Sequence, residues 1–536
     1  MKRTILFIVL LLSCNISFSQ FANKNMYLLS NQNTHATPYS AVWGYVAPDG
    51  REYAILGCYD GTSFVDITDA GNIHQVGFIP STNPGSSNNL WREMKTYSHY
   101  AYIVSEVTSS GIQIVDLQYL PDSVHYVKKF LPAGYSSAHS ISQFGPYIYV
   151  NGASIGQGIT CYDLTVDPET PVKRAAYNND YVHDCRVFND TIYAANIYTG
   201  KVSIINAVNK NSFNLVTSFT NLPGAGPHNT AVTQDRKHLL VTDEIGTAPY
   251  RLKIWNIEDL NNITYESAWQ PTGITNSIVH NVEAYGNYAL VAHYSAGIRM
   301  VDFSNPSSPT EVAWYDTYPL NNNQSYEGCW GVYMFPSGKI ASSDRSTGLY
   351  VVKTFFNVKT IMEGYYNPLL NNMNASDSVR AYLRMASSPY NIVDSAVAVS
   401  DNLSFNCEFK FNNALAGNYY LVLKHRNCLE TWSSSGGINY DPMGIMAYDF
   451  TDTDTKAFGN NMIQVNNSPV KFALYSGDIN NDGSVELSDL VYISNDAGNF
   501  LSGYQISDLT GNNAVNLEDM LIAYNNASDF VEMVRP

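Results

Sequence analysis

The stretch YALVAHYSAGIRMVDF, residues 288–303, decides the fold because its pattern recurs through the first two thirds of the chain. A short apolar strand is followed by a turn, and a second strand then begins with Gly297 and ends near Asp302. Related strand pairs begin near residues 52, 100, 147, 192, 238 and 339, which makes seven copies. This internal repetition predicts a repeat architecture rather than one continuous sheet.

Each copy is preceded by another short strand that carries one aromatic or imidazole side chain, and most copies are followed by a fourth apolar stretch. The preceding side chains are Trp43, Trp91, His139, His183, His228, His280 and Trp330, at spacings of 44–52 residues. Four-stranded units at this spacing are typical of propeller blades, because one blade cannot bury both of its faces alone. We predict a mainly β protein that begins with a seven-bladed β-propeller over residues 25–354.

The seventh copy lacks a fourth strand, and NMYLLSNQ at 25–32 resembles the missing one. We therefore predict that the N-terminal strand completes blade seven and removes an exposed sheet edge. An open β-solenoid is the alternative, but it gives no reason for seven copies and a spare strand at the other end.

The stretches WGYVAPDGREYAILGCYDGTSFVDITD (43–69) and VHNVEAYGNYALVAHYSAGIRMVDF (279–303) resemble the choice-of-anchor B proteins, whose units are called LVIVD repeats. The resemblance covers roughly residues 25–354. It implies an exported bacterial propeller joined to a C-terminal anchoring module, and it implies no particular activity.

The first strand of each propeller blade lines the central channel, so equivalent positions should converge on the axis. We expect the four histidines to form an arc, completed by Trp330, Trp43 and Trp91. The candidate channel site consists of His139, His183, Asp184, His228, Asp243, Glu244, His280 and His293. Neutral imidazoles suit zinc, copper or iron, and nearby carboxylates could orient them. In the alternative interpretation the rings are structural, and each donates an N–H to a carbonyl of the adjacent blade.

A metal-dependent extracellular hydrolase would use the same arc, with His183 and Asp184 or His228 and Glu244 as acid–base pairs. The sequence contains no nucleophile elbow, HExxH motif or P-loop. Binding is therefore favoured over catalysis.

Residues 355–475 show alternating strands broken by Asn, Gly and Ser, which predicts an immunoglobulin-like β-sandwich. Tyr419, Tyr420 and Trp432 could bind carbohydrate, although strand aromatics are more often core. Cys407 and Cys428 could form a disulfide, and buried free thiols are the alternative.

The segment 476–536 contains two stretches with the spacing of a twelve-residue calcium loop. The ligand positions of the first are Asp478, Asn480, Asp482, Ser484 (carbonyl), Glu486 and Asp489, and those of the second are Asp508, Thr510, Asn512, Ala514 (carbonyl), Asn516 and Asp519. Gly483 occupies the turn of the first loop, and Asn513 replaces it in the second. The first loop has more acidic ligands and should bind calcium more tightly. Val485 and Val515, at the eighth positions, are expected to pair with each other.

Both loops end in Asp, each is followed by a predicted helix, and no helix precedes the first. This pattern resembles the type I dockerins, which implies a small α-helical module of paired calcium loops and a cohesin-like partner. The positions that contact the partner in that family correspond to Leu487, Ser488, Leu517 and Glu518, where the usual Ser or Thr pair is missing. Docking within the same chain, or a purely stabilising role, are the alternatives.

The N-terminus, MKRTILFIVLLLSCNISFSQ, predicts a signal peptide over residues 1–19. Lipidation at Cys14 is the alternative. A net charge of −17 argues against nucleic acid as a partner. No later segment is apolar for long enough to span a membrane. We expect a secreted or cell-surface binding protein with an extracellular protein or glycan as partner, linked to polysaccharide utilisation.

Overall fold

Seven antiparallel sheets follow one another along residues 23–354 of the computed structural model, which describes residues 23–35, 38–154 and 156–536. The predicted signal peptide and Cys14 lie outside the described residues. We number the sheets as blades 1–7. Blades 1–3 comprise Val42–Val46, Glu52–Cys58, Gly61–Asp66 and His74–Pro80; Arg92–Tyr97, Tyr100–Ser105, Ile112–Asp116 and His125–Phe130; and Ser140–Phe144, Tyr147–Asn151, Ile159–Asp163 and Val172–Tyr177.

The remaining blades repeat this order. Blades 4–7 comprise Asp184–Phe188, Thr191–Asn196, Lys201–Asn206 and Asn214–Thr220; Pro227–Val232, His238–Asp243, Leu252–Asn256 and Thr264–Trp269; Val282–Tyr285, Tyr288–His293, Gly297–Asp302 and Thr310–Tyr315; and Cys329–Met334, Ile340–Asp344, Gly348–Thr354 and Met26–Gln32. The second and third strands read as nearly continuous apolar runs because neighbouring blades cover both of their faces.

The first, or inner, strands of successive blades contact one another, and that of blade 7 contacts that of blade 1. The sheets therefore form a closed ring, a seven-bladed β-propeller. Strand Met26–Gln32 pairs antiparallel with Gly348–Thr354, which confirms closure of blade 7 by the N-terminal strand. Residues Asn23–Lys24 additionally pair with blade 6, so the same segment joins the last two blades.

The middle region, 355–475, contains two main sheets. The smaller pairs Phe356–Lys359 antiparallel with Asn406–Phe409 and parallel with Met446–Asp449. The larger consists of Ile392–Val399, Ser378–Met385, Gly417–Lys424, Thr431–Trp432 and Ile438–Tyr440. Short pairs join Tyr366–Asn367 to Asn372–Met373 and Ile463–Asn467 to Val470–Ala473. Residues of both main sheets share one apolar core, and the immunoglobulin-like topology stays a prediction.

Tyr419, Tyr420 and Trp432 are buried in this region, which favours packing over a carbohydrate role for them. Cys407 and Cys428 are buried free thiols, as are the other four cysteines that the structure describes. The alternative of a disulfide between Cys407 and Cys428 is therefore not realised.

The C-terminal module, 476–536, contains the helices Leu487–Gly498 and Leu517–Ser528, which pack against each other. Short 3₁₀ turns occur at Ser87–Leu90, Glu363–Tyr365, Asp454–Lys456 and Phe458–Asn460. Within the described ranges, no helix has the length and apolar character needed to cross a bilayer.

Candidate functional site

A ring of six side chains lies at one mouth of the propeller channel. The centroids of neighbouring rings are separated by 4.0 Å (His139–His183), 4.2 Å (His183–His228), 4.1 Å (His228–His280), 4.8 Å (His280–Trp330), 5.2 Å (Trp330–Trp91) and 6.2 Å (Trp91–His139). The four histidines therefore converge as expected. Blade 1 contributes the small side chain of Ala41 beside this ring.

Trp43 is not one of these six side chains. It packs against Tyr333, with ring centroids 4.8 Å apart, and Lys95 Nζ lies 3.8 Å from the centre of its ring. Trp43 follows Ala41 by two residues on the same strand face, which places its side chain at the next level along the channel, beyond the six side chains at the mouth.

A cavity of about 500 Å³ opens above the ring. Its walls include the four histidines and Trp91 and Trp330, together with Glu106, Tyr181, Tyr198, Glu244, Tyr326 and Arg345. We call this cavity the channel pocket. The aromatic rings of Tyr181 and Tyr198 lie 4.9 Å apart, and the Arg345 guanidinium lies 5.4 Å from the centre of the Trp330 ring. The Nε atom of Arg345 is buried without a hydrogen-bond partner.

Glu106 and Glu244 reach the pocket because each directly follows the second strand of its blade, which ends at the mouth where the inner strand begins. Glu106 Oε1 lies 2.6 Å from Nδ1 of His139. Glu244 Oε2 lies 3.6 Å from Nε2 of His228, and Oε1 lies 3.7 Å from Nε2 of His280. The Tyr294 hydroxyl donates a hydrogen bond to Glu244 Oε1 at 3.0 Å.

The buried rings favour neutral imidazoles. Burial lowers the pKa of His183 and His228 well below the ordinary value and that of His280 to about 3. Burial also acts to lower the pKa of His139, but the hydrogen bond and charge of Glu106 outweigh it and raise that pKa. Burial raises the pKa of Glu244 to about 7. Three neutral imidazoles and one carboxyl group thus share the floor of the pocket.

The other predicted channel residues lie elsewhere. Asp184 lies deeper in the channel, where it accepts hydrogen bonds from Asn229 and Ser140, and burial raises its pKa to about 7. Asp243 forms an ion pair with Lys253, with Nζ and Oδ2 2.6 Å apart. His293 lies against Trp269 and within 3.1 Å of the Ser277 hydroxyl. Asp243 and His293 do not line the channel pocket, which corrects our expectation that they would belong to the channel site.

The two calcium loops form similar backbone wraps around their first and last carboxylates. Asp478 accepts hydrogen bonds from the amides of Asp482 and Gly483, and Asp489 accepts them from Ile479, Asn480 and Glu486. In the second loop Asp508 accepts from Gly511, Asn512 and Asn513, and Asp519 accepts from Leu509, Thr510 and Asn516. Gly483 and Asn513 have φ values of 92° and 66°, so both turns adopt the left-handed conformation expected at the sixth position.

The donor chemistry of the loops fits a hard cation. Asp478, Asp489, Asp508 and Asp519 are buried, and among the described residues none forms an ion pair with a basic side chain. Burial and the charges of Asp489 and Asp482 raise the pKa of Asp478 to about 6. The remaining predicted ligands Asn480, Asp482, Ser484, Glu486, Thr510, Asn512, Ala514 and Asn516 lie along the same two loops. Buried carboxylates and carbonyl oxygens are the ligands that calcium prefers.

The eighth positions do not pair with each other, contrary to our expectation. The amide of Val485 donates to the carbonyl of Val531, and that of Val515 donates to the carbonyl of Leu501, at distances of 2.9 and 3.0 Å. Leu501 follows the first helix and Val531 follows the second. Each loop therefore pairs with the segment after the other loop's helix, which locks the two halves of the module together.

The C-terminal module also contacts the middle region. Asn427 Nδ2 donates to the carbonyls of Ile506 and Asp508, at 3.2 and 2.9 Å. The Tyr504 hydroxyl donates to Asp377 Oδ1 at 2.8 Å, and Asn526 Nδ2 donates to Glu363 Oε2 at 2.7 Å. These bonds join loop 2 and the second helix to the preceding sheets.

One blade of the ring is similar to a known repeat family. The LVIVD repeat family matches residues 278–317, which span blade 6. No curated protein matches the chain.

Solved structures similar to this chain include three examples. A protein from Lactobacillus plantarum has 11% identity and a TM-score of 0.45, over 55% of this chain and 88% of that one. The WD40 β-propeller domain of Doa1 has 11% identity and a TM-score of 0.43, over 61% and 96%. A protein of unknown function from Desulfotomaculum acetoxidans has 15% identity and a TM-score of 0.41, over 55% and 89%.

Proposed function

We propose that this protein is an exported binding protein whose propeller recognises an extracellular glycan in the channel pocket. The observation that carries the proposal is the combination of aromatic walls, carboxylates and the unpaired Arg345 Nε in one cavity of about 500 Å³. Aromatic faces contact the apolar face of a sugar ring, while charged groups hydrogen-bond its hydroxyls or acidic substituents. This function is consistent with a role in polysaccharide utilisation at the cell surface.

Tyr198 is the residue best placed to receive the glycan at the rim. Its side chain is 73% exposed, although its ring contacts Tyr181. The pair presents an aromatic surface beside the pocket, and exposed aromatics of this kind contribute strongly to recognition.

Binding of the secreted chain to an array of bacterial and plant polysaccharide fragments tests this function. We expect the change Tyr198→Ala to weaken binding roughly three- to tenfold, the loss expected for one aromatic contact. The matched control is Tyr126→Ala, since Tyr126 is an exposed tyrosine on the outer strand of blade 2. Glycan recognition would be refuted if no glycan binds, or if the two variants lose the same affinity. Capture of a protein in place of a glycan would instead indicate protein recognition.

The second part of the proposed function is calcium-dependent attachment through the C-terminal module. The dockerin resemblance and the buried, unpaired carboxylates of both loops support calcium as the resident ion. Leu487 and Leu517, at the first positions of the two helices, are 73% and 77% exposed and are available to a cohesin-like partner. In this proposal the propeller, an immunoglobulin-like middle domain and a dockerin-like module together form a choice-of-anchor B protein.

A paired variant tests the attachment role. We expect Leu487→Glu together with Leu517→Glu to abolish calcium-dependent binding to a cohesin-like module while leaving calcium affinity unchanged. Leu415→Glu is the control, because Leu415 is an exposed leucine of the middle region. Attachment that survives both calcium chelation and the paired variant would show that the module does not act as the anchor.

A further inference from the structure

We propose that His183, His228 and Glu244 form a binding site for a divalent first-row transition metal, with zinc the best match to the ligand set. Glycan recognition needs no metal, so this inference goes beyond the proposed function. In the described part of the chain, histidine, cysteine and acidic side chains converge in groups of three at this place and at His35, Cys58 and Asp60.

The spacing of the three side chains fits a bound ion. One ligand atom from each lies within 4.8 Å of the other two, and all three residues are deeply placed at the pocket floor. His228 Nε2 and Glu244 Oε2 are 3.6 Å apart, too far for a hydrogen bond. Ligand atoms bound at zinc distances on a tetrahedral centre lie roughly 3.4 Å from each other. The gap between the imidazole and the carboxylate thus matches two ligands of one metal.

Neighbouring groups hold the buried side of the four channel histidines. His139 bonds to Glu106, and Nδ1 of His280 donates to the carbonyl of Trp330 at 2.5 Å. Nδ1 of His183 and Nδ1 of His228 are buried and make no hydrogen bond of ordinary geometry. His183 and His228 follow the same pattern with poorer geometry, because the backbone of His228 and of His280, at the equivalent positions of the next blades, is their hydrogen-bond partner. Contacts of this kind fix the tautomer of an imidazole and leave its Nε2 free to bind a metal.

Neighbouring groups complete the arrangement expected around a metal. The Tyr294 hydroxyl holds Glu244 through a 3.0 Å hydrogen bond, as outer groups commonly hold a ligating carboxylate. The bond from Nδ1 of His280 leaves its Nε2 unprotonated and 3.7 Å from Glu244 Oε1, beside the group of three. Two histidines and one carboxylate leave the remaining coordination position facing the channel pocket, as in catalytic and ligand-exchanging zinc sites.

The other group of three is a weaker candidate because its imidazole is already engaged. His35 Nε2 lies 2.6 Å from Gln75 Oε1.

Titration of the full chain with cobalt(II), which reports its coordination by visible absorption, tests the site. The experiment is performed with saturating calcium so that the C-terminal loops are occupied. We expect one equivalent of cobalt with the absorption of a low-coordinate site, displaced by one equivalent of zinc. Glu244→Gln, which preserves side-chain shape, and His228→Ala should each weaken cobalt affinity by at least roughly 10–100-fold.

Two matched variants serve as controls. His139→Gln changes a histidine of the same ring that is bonded to Glu106, and Asp478→Asn changes calcium loop 1; neither should alter the cobalt spectrum. Circular dichroism and thermal unfolding of each variant separate loss of ligands from loss of fold. The inference is overturned if the native chain develops no cobalt absorption, or if folded Glu244→Gln binds cobalt as tightly as the native chain. Glycan binding measured in chelator remains a separate readout, so either proposal can fail alone.

Discussion

Replacing Asp377 by Asn tests how the C-terminal module is held on the middle region. The buried carboxylate of Asp377 accepts hydrogen bonds from the Tyr365 hydroxyl (2.7 Å), Arg426 Nε (2.9 Å) and the Tyr504 hydroxyl (2.8 Å), and lies 3.1 Å from His425 Nε2. Tyr504 belongs to the C-terminal module and the other three to the middle region. One carboxylate therefore joins the two parts of the chain.

The expected loss is about 3 kcal/mol. Removing one partner of a buried ion pair costs about 3–5 kcal/mol, and the amide oxygen of Asn keeps part of the hydrogen bonding, so the lower end applies. Burial acts to raise the pKa of Asp377, but the hydrogen bonds from His425, Tyr365 and Arg426 outweigh it and hold that pKa far below its ordinary value. A depressed carboxyl pKa contributes stability above the unfolded-state pKa and loses it as the pH falls. The difference between native and variant chains should therefore be constant near neutral pH and shrink below about pH 4.

Urea unfolding of the calcium-saturated chain measures this loss. The control is Asp401→Asn, because Asp401 is exposed and bonds only within its own turn to Leu403 and Ser404. Tyr504→Phe removes only the hydrogen bond between Asp377 and the C-terminal module, and it should cost about 1 kcal/mol and raise hydrogen exchange in loop 2. A destabilisation by Asp377→Asn no larger than that by Asp401→Asn would refute the role of this carboxylate.

Three further predictions concern calcium and pH. Calorimetric titration should resolve two calcium sites, of which the first loop binds more tightly. Asp478→Asn should weaken the first site, and Asp508→Asn should weaken the second. A single class of sites would contradict this prediction. Because the pKa of Asp478 is raised to about 6, calcium affinity of the first loop should fall as the pH drops below about 6, which titrations at several pH values will show. Burial raises the pKa of Glu363 to about 7, so its favourable contribution is present below the ordinary carboxyl pKa and lost as the pH rises through 7. Glu363→Gln should therefore gain stability relative to the native chain, by about 1–3 kcal/mol, between pH 5 and pH 8 in urea unfolding.

The seven repeats predicted the ring of blades because period and copy number are visible in the sequence. The position of each side chain along the channel axis was harder to predict. Aligning the copies by their aromatic residues placed Trp43 in the ring, whereas the strand register gives that position to Ala41. A shift of two residues keeps the same strand face, so hydrophobic alternation cannot reveal it.

A register argument would have shown which residues at the ends of the second strands face the channel pocket. Asp243 and His293 end the second strands of their blades, and Glu244 and Tyr294 come next. Successive strand residues point to opposite faces, so the later residue of each pair turns towards the pocket and the earlier one turns away. In blade 7 the corresponding residue is Arg345, which does line the pocket. Tyr198 lacks such a signal because it lies in a turn.

The contacts of the C-terminal module bear on its two alternative roles, docking within the chain and docking to a partner. Its bonds to the middle region come from the segment that enters loop 2, from Asn526 of the second helix and from loop 1, where Asn481 Nδ2 donates to the carbonyl of Arg426. Leu487 and Leu517 take no part in that contact and stay exposed at the helix starts. The module therefore uses one face to attach to its own chain and keeps the other free. An external partner would not need to displace the middle region, and calcium at loop 2 would stabilise both the module and the surface that holds it.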